Sequence, residues 1–585
     1  MSRKNTITNI QRQKGAALIV FFMAIIAAGA VFLASNLGPD DDRVNSQNST
    51  SSSLAKAKEI LLSYSTSYYL RQSNSGLTIN AGKHGLLPCP ESASSANGKE
   101  QGNCATQHAS SLGRLPWITL GIEPLLDNSG ECLWYAVSGG FFNSPWSPMT
   151  NDDTPGKFQI FNESGTLYKG ATPEDRVVAV IIAPGKPLQG QTRGRAQENL
   201  PCKVLNTTLV ASNYLDNLNN INNAAVDSAN ADLLEQFINT DGLRENNTVN
   251  DRLITITAKE IFDAIKKNDN LYRDNIGLLG GELGRCLSDN AEAAALINAV
   301  ASDPGFCTSL NSCTTSCEND FNLCMSGNPT GNEKSDCYRE LNKTCLKTCK
   351  NSCCTTGGNN GNNGNNGNNG NGGNNGNNGN GGNGGGSSCG GSVYKLPWPA
   401  PIDLTADYRL DGSYTDLNSA GQGLLGRLPN NTPRSLADSG NSLGANIFSS
   451  CDLANTDPEL FLFWQNWKDH WFYVVGNDFS PTAAAVPAVP CSDCPTLNGV
   501  ANKNAAILIF SGERVNNQLR RANETENPDP PLANSKATIS NYLEGSNSTN
   551  YPDNSGNKDY AVGGANNNDR YFCIPEDMSA TVECP

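Results

Sequence analysis

A predominantly apolar stretch runs from Ala16 to Leu37, AALIVFFMAIIAAGAVFLASNL, and contains no charged side chain. At 1.5 Å per residue, a helix of this length crosses a hydrocarbon layer of about 30 Å. The apolar region of a secretory signal is shorter and ends at a small-residue cleavage site, so a spanning helix is the better expectation. Arg3, Lys4, Arg12 and Lys14 precede the run, and Asp40, Asp41 and Asp42 follow it. The positive-inside bias then keeps the N-terminus cytoplasmic and sends the rest of the chain across.

Residues 38–53, rich in Asn and Ser, read as a flexible spacer. After them Leu54, Ala57, Ile60, Leu61, Tyr64 and Tyr68 recur at three- and four-residue spacing, which predicts an amphipathic helix over 54–70. The apolar runs Val177–Ile182 and Ala506–Phe510 have the length and β-branched content of buried strands. Helical composition returns at Ala258–Lys267 and from about Leu279 to Ser302. The stretch FLFWQNWKDHWFYVV, residues 461–475, supports two readings. It is either a core helix running into a strand or an exposed aromatic ridge offering Trp464, Trp467 and Trp471 to a sugar or a partner protein.

Many of these elements occur twice. Leu87-Pro88-Cys89-Pro90 matches Leu396-Pro397-Trp398-Pro399, and Leu112-Gly113-Arg114-Leu115-Pro116 matches Leu425-Gly426-Arg427-Leu428-Pro429. Trp134-Tyr135-Ala136-Val137 matches Phe472-Tyr473-Val474-Val475. The two apolar runs are followed by Gly185 with Gln191-Thr192-Arg193, and by Gly512 with Gln518-Leu519-Arg520. Ser212–Asp216 matches Ser540–Glu544, and Asn250-Asp251-Arg252 matches Asn568-Asp569-Arg570. Anchors in one order imply two copies of one α+β module. Arg114 and Arg427 are expected to seat their guanidinium groups on carbonyls or a carboxylate within each module.

The residues around Gly15 resemble a known signal. Gln13-Lys14-Gly15 ahead of Ala16-Ala17-Leu18-Ile19-Val20 is similar to the class III leader of type IV prepilins and type II secretion pseudopilins. The resemblance implies cleavage after Gly15 by a prepilin peptidase, with Ala16 as the mature N-terminus. Major subunits of that family carry glutamate at mature position five. This chain has Val20 there, and minor, tip-located members often lack that glutamate. In pilin-like proteins the second half of the long first helix packs on a sheet, the role expected of 54–70. Asp127-Asn128-Ser129-Gly130 before Trp134-Tyr135 resembles the turn-then-strand pattern of pseudopilin C-terminal sheets.

Twenty cysteines, beyond a membrane anchor, read as a disulfide framework in an oxidising compartment. Zinc is the poorer reading, because the chain holds only His84, His108 and His470 and a lone CxxC, Cys491 to Cys494, expected to be a structural loop. Cys573 and Cys584 are expected to pin the C-terminal tail. Cys313, Cys317 and Cys324 are spaced four then seven apart, and Cys337, Cys345 and Cys349 eight then four, on either side of MSGNPTGNEKSD. Two antiparallel helices would set Cys324 beside Cys337, Cys317 beside Cys345 and Cys313 beside Cys349, a small hairpin stapled by disulfides. Residues 357–388, almost purely Gly and Asn in their central part, read as a flexible tether of about 30 Å that frees the second module to move.

The expected organisation is a leader (1–15), a transmembrane helix (16–37), the spacer (38–53), a first α+β module (54–275), a helical cysteine-rich hairpin (276–356), the linker (357–388) and a second α+β module (389–585). Small antiparallel sheets are expected in both modules, which the resemblance makes pilin-like. A net charge of −15 disfavours nucleic acid. There is no HExxH or Walker pattern, and Asn151-Asp152-Asp153 lacks EF-hand spacing and reads as a solvated turn. No catalytic residue, metal or cofactor is expected. The expected function is that of a minor pilin-like or pseudopilin-like subunit in the bacterial inner membrane, C-terminus periplasmic or carried outward in a pilus. Its partners would be other pilin subunits and the peptidase, with a surface ligand for the second module. The alternative is an anchored periplasmic binding protein or adhesin.

Overall fold

The computed structural model describes residues 42–302 and 394–584 apart from loop stretches, the longest of which are 75–83, 143–149, 227–233, 241–247, 484–490, 522–534 and 549–558. Residues 1–41 and, but for Asn319, 303–393 lie outside that description. The apolar run 16–37, the cysteine hairpin and the Gly/Asn tract are therefore not among the described residues. Within them, no helix is long and apolar enough to cross a membrane.

Two sheets account for the repeat. In the first module β1 (Ser111–Arg114), β2 (Trp134–Val137), β5 (Val177–Ala183) and β7 (Arg252–Thr257) pair antiparallel in that order. β3 (Phe158–Asn162) touches β5 and carries β4 (Leu167–Lys169) antiparallel and β6 (Glu235–Asn239) parallel. In the second module β8 (Leu425–Arg427), β9 (Trp471–Val475), β10 (Asn504–Phe510), β11 (Arg570–Pro575) and β12 (Val582–Glu583) form one antiparallel sheet. The register repeats as well. Leu112 faces Ala136 as Leu425 faces Val474, and Trp134 faces Ile182 as Phe472 faces Ile509. Every residue of β2, β5, β9 and β10 is buried, since both faces of each sheet are covered.

The alternation along each strand divides the core. Tyr135, Val137, Ala179 and Ile181 point to one side with Tyr473, Val475, Leu508 and Phe510, and these belong to a single hydrophobic core shared by both modules. The opposite faces, around Trp134 and Ile182 and around Phe472 and Ile509, form separate smaller cores closed by Tyr214 and Tyr542.

Helices complete the shared core. α1 (Asp42–Asn74) lies on β5 and β7 and buries Leu54, Ala57 and Leu61, as the helical spacing predicted. It also takes in most of the stretch read as a spacer. Asn and Ser are weak helix formers, but tertiary docking overrides propensity here. Ser53 donates its hydroxyl to the Leu126 carbonyl (2.7 Å), and Thr50 Oγ1 accepts the Asn128 N–H (3.0 Å). α2 (Ala258–Lys267) falls where composition placed it and buries Ile261, Phe262 and Ile265. α3 (Asp269–Ser302) runs through the 275/276 boundary and packs on β11 and β12 of the second module. A Cβ on Gly280 would meet the Phe572 ring at 2.5 Å, and one on Gly284 would meet Thr581 at 2.3 Å, so these glycines permit the close approach. α4 (Ile447–Cys451) and α5 (Pro458–Trp467) complete the second module's contribution.

The expected freedom of the second module is corrected by this packing. The two modules share one apolar core, and a buried disulfide joins Cys286 of α3 to Cys451 of α4. Cys89–Cys104, Cys132–Cys202, Cys491–Cys494 and Cys573–Cys584 are also bonded, the last pinning the tail as expected.

Candidate functional site

The most concentrated ionisable chemistry among the described residues lies where the modules meet. Asn151, Asp152 and Asp153 follow β2 in the first module and read from sequence as a solvated turn, but the structure buries them against the second module. Asn151 donates its side-chain amide to the Asn466 carbonyl (2.9 Å) and to Asp469 Oδ1 (2.8 Å). Asp152 Oδ2 accepts from Lys266 Nζ of α2 at 2.7 Å. Asp153 Oδ2 lies 3.1 Å from His470 Nε2 and 3.8 Å from Arg520, while its Oδ1 lies 3.3 Å from Arg514 Nε. Lys536 Nζ binds Asp469 Oδ2 at 2.5 Å and stands 4.0 Å from Asp153. The side chains of Asp153, Asp469, His470 and Arg520 are fully excluded from solvent.

Local folding prepares these groups. A single 3-10 turn, Lys468–His470, links α5 to β9 and turns Asp469 and His470 inward. Arg520 donates to the Gly512 and Asn541 carbonyls and lies over Tyr542 (4.7 Å). Arg193 does the same in the first module with Gly185, Asn213 and Tyr214. The repeat therefore supplies an arginine in a fixed pose, and only in the second module does Asp153 approach it. Arg114 and Arg427 behave as expected. Arg114 donates to the Cys202 carbonyl (2.7 Å), and Arg427 to the carbonyls of Ile402 (2.8 Å), Lys536 (2.7 Å) and Asp469.

Burial pushes the Asp152 carboxyl up, but Lys266, His470 and Arg520 overcome it and hold it well below the ordinary range. Asp153 follows the same logic: burial and Asp152 push it up, and Arg520, His470 and Lys536 bring it below normal. Asp469 is held at about 2, because Lys536, His470 and Arg427 outweigh burial. Burial lowers the Lys536 ammonium, and Asp469, Tyr542 and Asp153 more than restore it, leaving it above its usual value.

Asp152, Asp153 and His470 bring ligand atoms within 4.8 Å of one another, a spacing that suits a divalent cation. The residues present do not fit one. Lys266, Arg514, Arg520 and Lys536 already compensate the carboxylates, and a further positive charge about 4 Å from each would meet repulsion of about 4 kcal/mol per unit charge. What the cluster can do is hold two surfaces in register, since each partner is costly to bury alone. The sequence signal for it was Lys468-Asp469-His470 inside an aromatic stretch, because charges placed among core residues must be partnered.

A second kind of site occurs once per module. Asp216 Oδ2 accepts the N–H groups of Asn250 (2.6 Å) and Asp251 (2.9 Å), and Asp251 Oδ2 accepts that of Asp216 (2.8 Å). Burial first, then the neighbouring carboxylate, pushes Asp251 well above the carboxylate range, and Asp569 beside Glu544 is raised in the same way.

Gly15, Ala16 and Val20 lie outside the described residues, as do Cys313, Cys317, Cys324, Cys337, Cys345 and Cys349. The aromatic ridge is corrected: Trp464, Trp467 and Trp471 are at most 1% exposed and belong to the shared core, so they offer no face to a ligand. No family model matches the chain, and neither a curated protein nor a solved structure matches it.

Proposed function

We propose that the chain is a non-enzymatic, minor pilin-like or pseudopilin-like subunit of a type IV pilus or type II secretion filament, anchored in the bacterial inner membrane by residues 16–37 with its C-terminus periplasmic. One arrangement carries this reading. Gln13-Lys14-Gly15 and the charge-free run from Ala16 stand ahead of a long helix, and that helix, α1, lies on the antiparallel strands β5 and β7. A first helix whose later part packs on a sheet is what the family resemblance implies. Val20 supports a place at the tip, where no neighbouring subunit's N-terminal amine has to be neutralised. The disulfides agree with an oxidising compartment. Partners would be other pilin or pseudopilin subunits and the prepilin peptidase. Any adhesive role falls to surfaces other than the buried tryptophans.

In a strain with active prepilin peptidase, the purified chain should begin at Ala16 by intact mass and N-terminal peptide analysis. A chain retaining residues 1–15 overturns this reading and leaves an anchored periplasmic binding protein. Val20→Glu should alter incorporation into filaments, and unchanged incorporation removes the argument for the tip.

A further inference from the structure

The Cys286–Cys451 disulfide closes a loop of sequence separation 165, and the whole Gly/Asn tract and the cysteine-rich segment lie inside that loop. Both sulfurs sit in the core, Cys286 with no exposure and Cys451 at 8%, between the buried Leu283 and Leu287 of α3 and Ile447 and Phe448 of α4. The bond is surrounded by contact between the modules. Phe262 of α2 and Tyr272 of α3 pack edge-on against Trp467 of α5, with ring centroids 5.6 and 5.3 Å apart. Gly280 and Gly284 bring α3 down onto the second sheet. At the rim Arg521 Nε meets Glu174 (2.5 Å), and Arg570 donates to the Arg273 carbonyl (2.5 Å). The buried carboxylate of Asp153 is compensated from the second module by Arg514, Arg520 and Lys536, so separation would strand charges on both sides. An interface that is apolar, charge-matched and cross-linked leaves no basis for independent motion of the modules.

We propose that the two modules are one body clasped by Cys286–Cys451, and that the mechanical and covalent connection between them runs through this bond and the interface around it. The 287–450 stretch is then a side loop of the covalent path, and cutting it within the Gly/Asn tract leaves the body whole. A load applied to the second module would pass into α3 and the first sheet without crossing the tract. This inference does not depend on the filament reading.

The test uses the full chain with a protease site inserted in residues 357–388. Cys389 follows the tract and offers a separate route for a cross-link, so Cys389→Ser is the working background. After cutting, its two fragments should run as one species on a non-reducing denaturing gel and as two after reduction. A non-reduced digest should contain the Cys286–Cys451 peptide pair by mass spectrometry. Adding Cys286→Ser should separate the fragments on the denaturing gel, yet the cut protein should still elute from gel filtration at the position of the uncut chain. Separation of the cut Cys389→Ser fragments without reductant would overturn the covalent clasp. Two native species from the cut double variant would overturn the single body. A thiol-sensitive dimer of the uncut chain that is abolished by Cys286→Ser would show that Cys286 reaches Cys451 of a second copy instead, and would overturn the clasp. Should the double variant fail to fold, the cut Cys389→Ser protein gel-filtered with reductant decides the same question.

Discussion

Lys468, Asp469 and His470 occupy consecutive positions in an aromatic stretch, and the fold answers each polar side chain separately. Lys468 Nζ reaches the Arg409 carbonyl and Asp411, each at 2.5 Å, while Asp469 takes Lys536 and His470 faces Asp153. The carboxyl pairs behave in the opposite way. Asp251 and Asp569 are raised, so the folded chain holds protons that the unfolded chain releases. Their stabilisation is fully present below the unfolded value of about 3.9 and is lost as pH rises through the folded values. Melting temperature should therefore fall as pH rises above about 4, and Asp251→Asn, which keeps the shape of the side chain, should flatten that slope. Equal slopes in variant and parent would show that Asp251 takes up no extra proton on folding.

At the scale of elements, the strands at Val177–Ala183 and Asn504–Phe510 and the 258–267 helix were legible, because their apolar runs and helical composition are local to each segment. The glycines of the Leu-Gly-Arg anchors have a mechanical reason. A Cβ on Gly113 would meet the Glu91 carbonyl oxygen at 2.2 Å, and one on Gly426 would meet that of Ala400 at 2.1 Å. In both modules this is where a strand crosses the preceding Pro-containing segment, which pairs with it: Glu91 N–H donates to the Arg114 carbonyl and Ala400 N–H to that of Arg427, each at 2.9 Å. Gly113→Ala and Gly426→Ala should each destabilise the chain by about 1–3 kcal/mol in denaturant unfolding. A neutral substitution at either site would contradict the structural equivalence of the repeats. The extension of α1 back to Asp42 was not legible, because its helical state depends on contacts near Leu126 and Asn128 that lie far along the chain.

For the molecule as a whole, the interface carboxylates set the acid limit. Asp152, Asp153 and Asp469 are depressed, so their contribution is present above the unfolded value of about 3.9 and is lost as pH falls through the folded values, about 2 for Asp469. Thermal unfolding followed by circular dichroism should show stability dropping between about pH 4 and pH 2. A body as stable at the lower value as at the upper would mean that the cluster does not hold the modules together. The sequence by itself determined the repeat, the long buried strand of each module, the tail disulfide and the architectural role of Arg114 and Arg427. Those features rest on local periodicity and on anchors that recur in order. Only the tertiary structure decided that Asn151–Asp153 is buried, that α3 serves the second sheet and that the modules are cross-linked by Cys286 and Cys451. These depend on which surfaces meet, and the pairing of surfaces separated by hundreds of residues leaves no periodic trace in the chain.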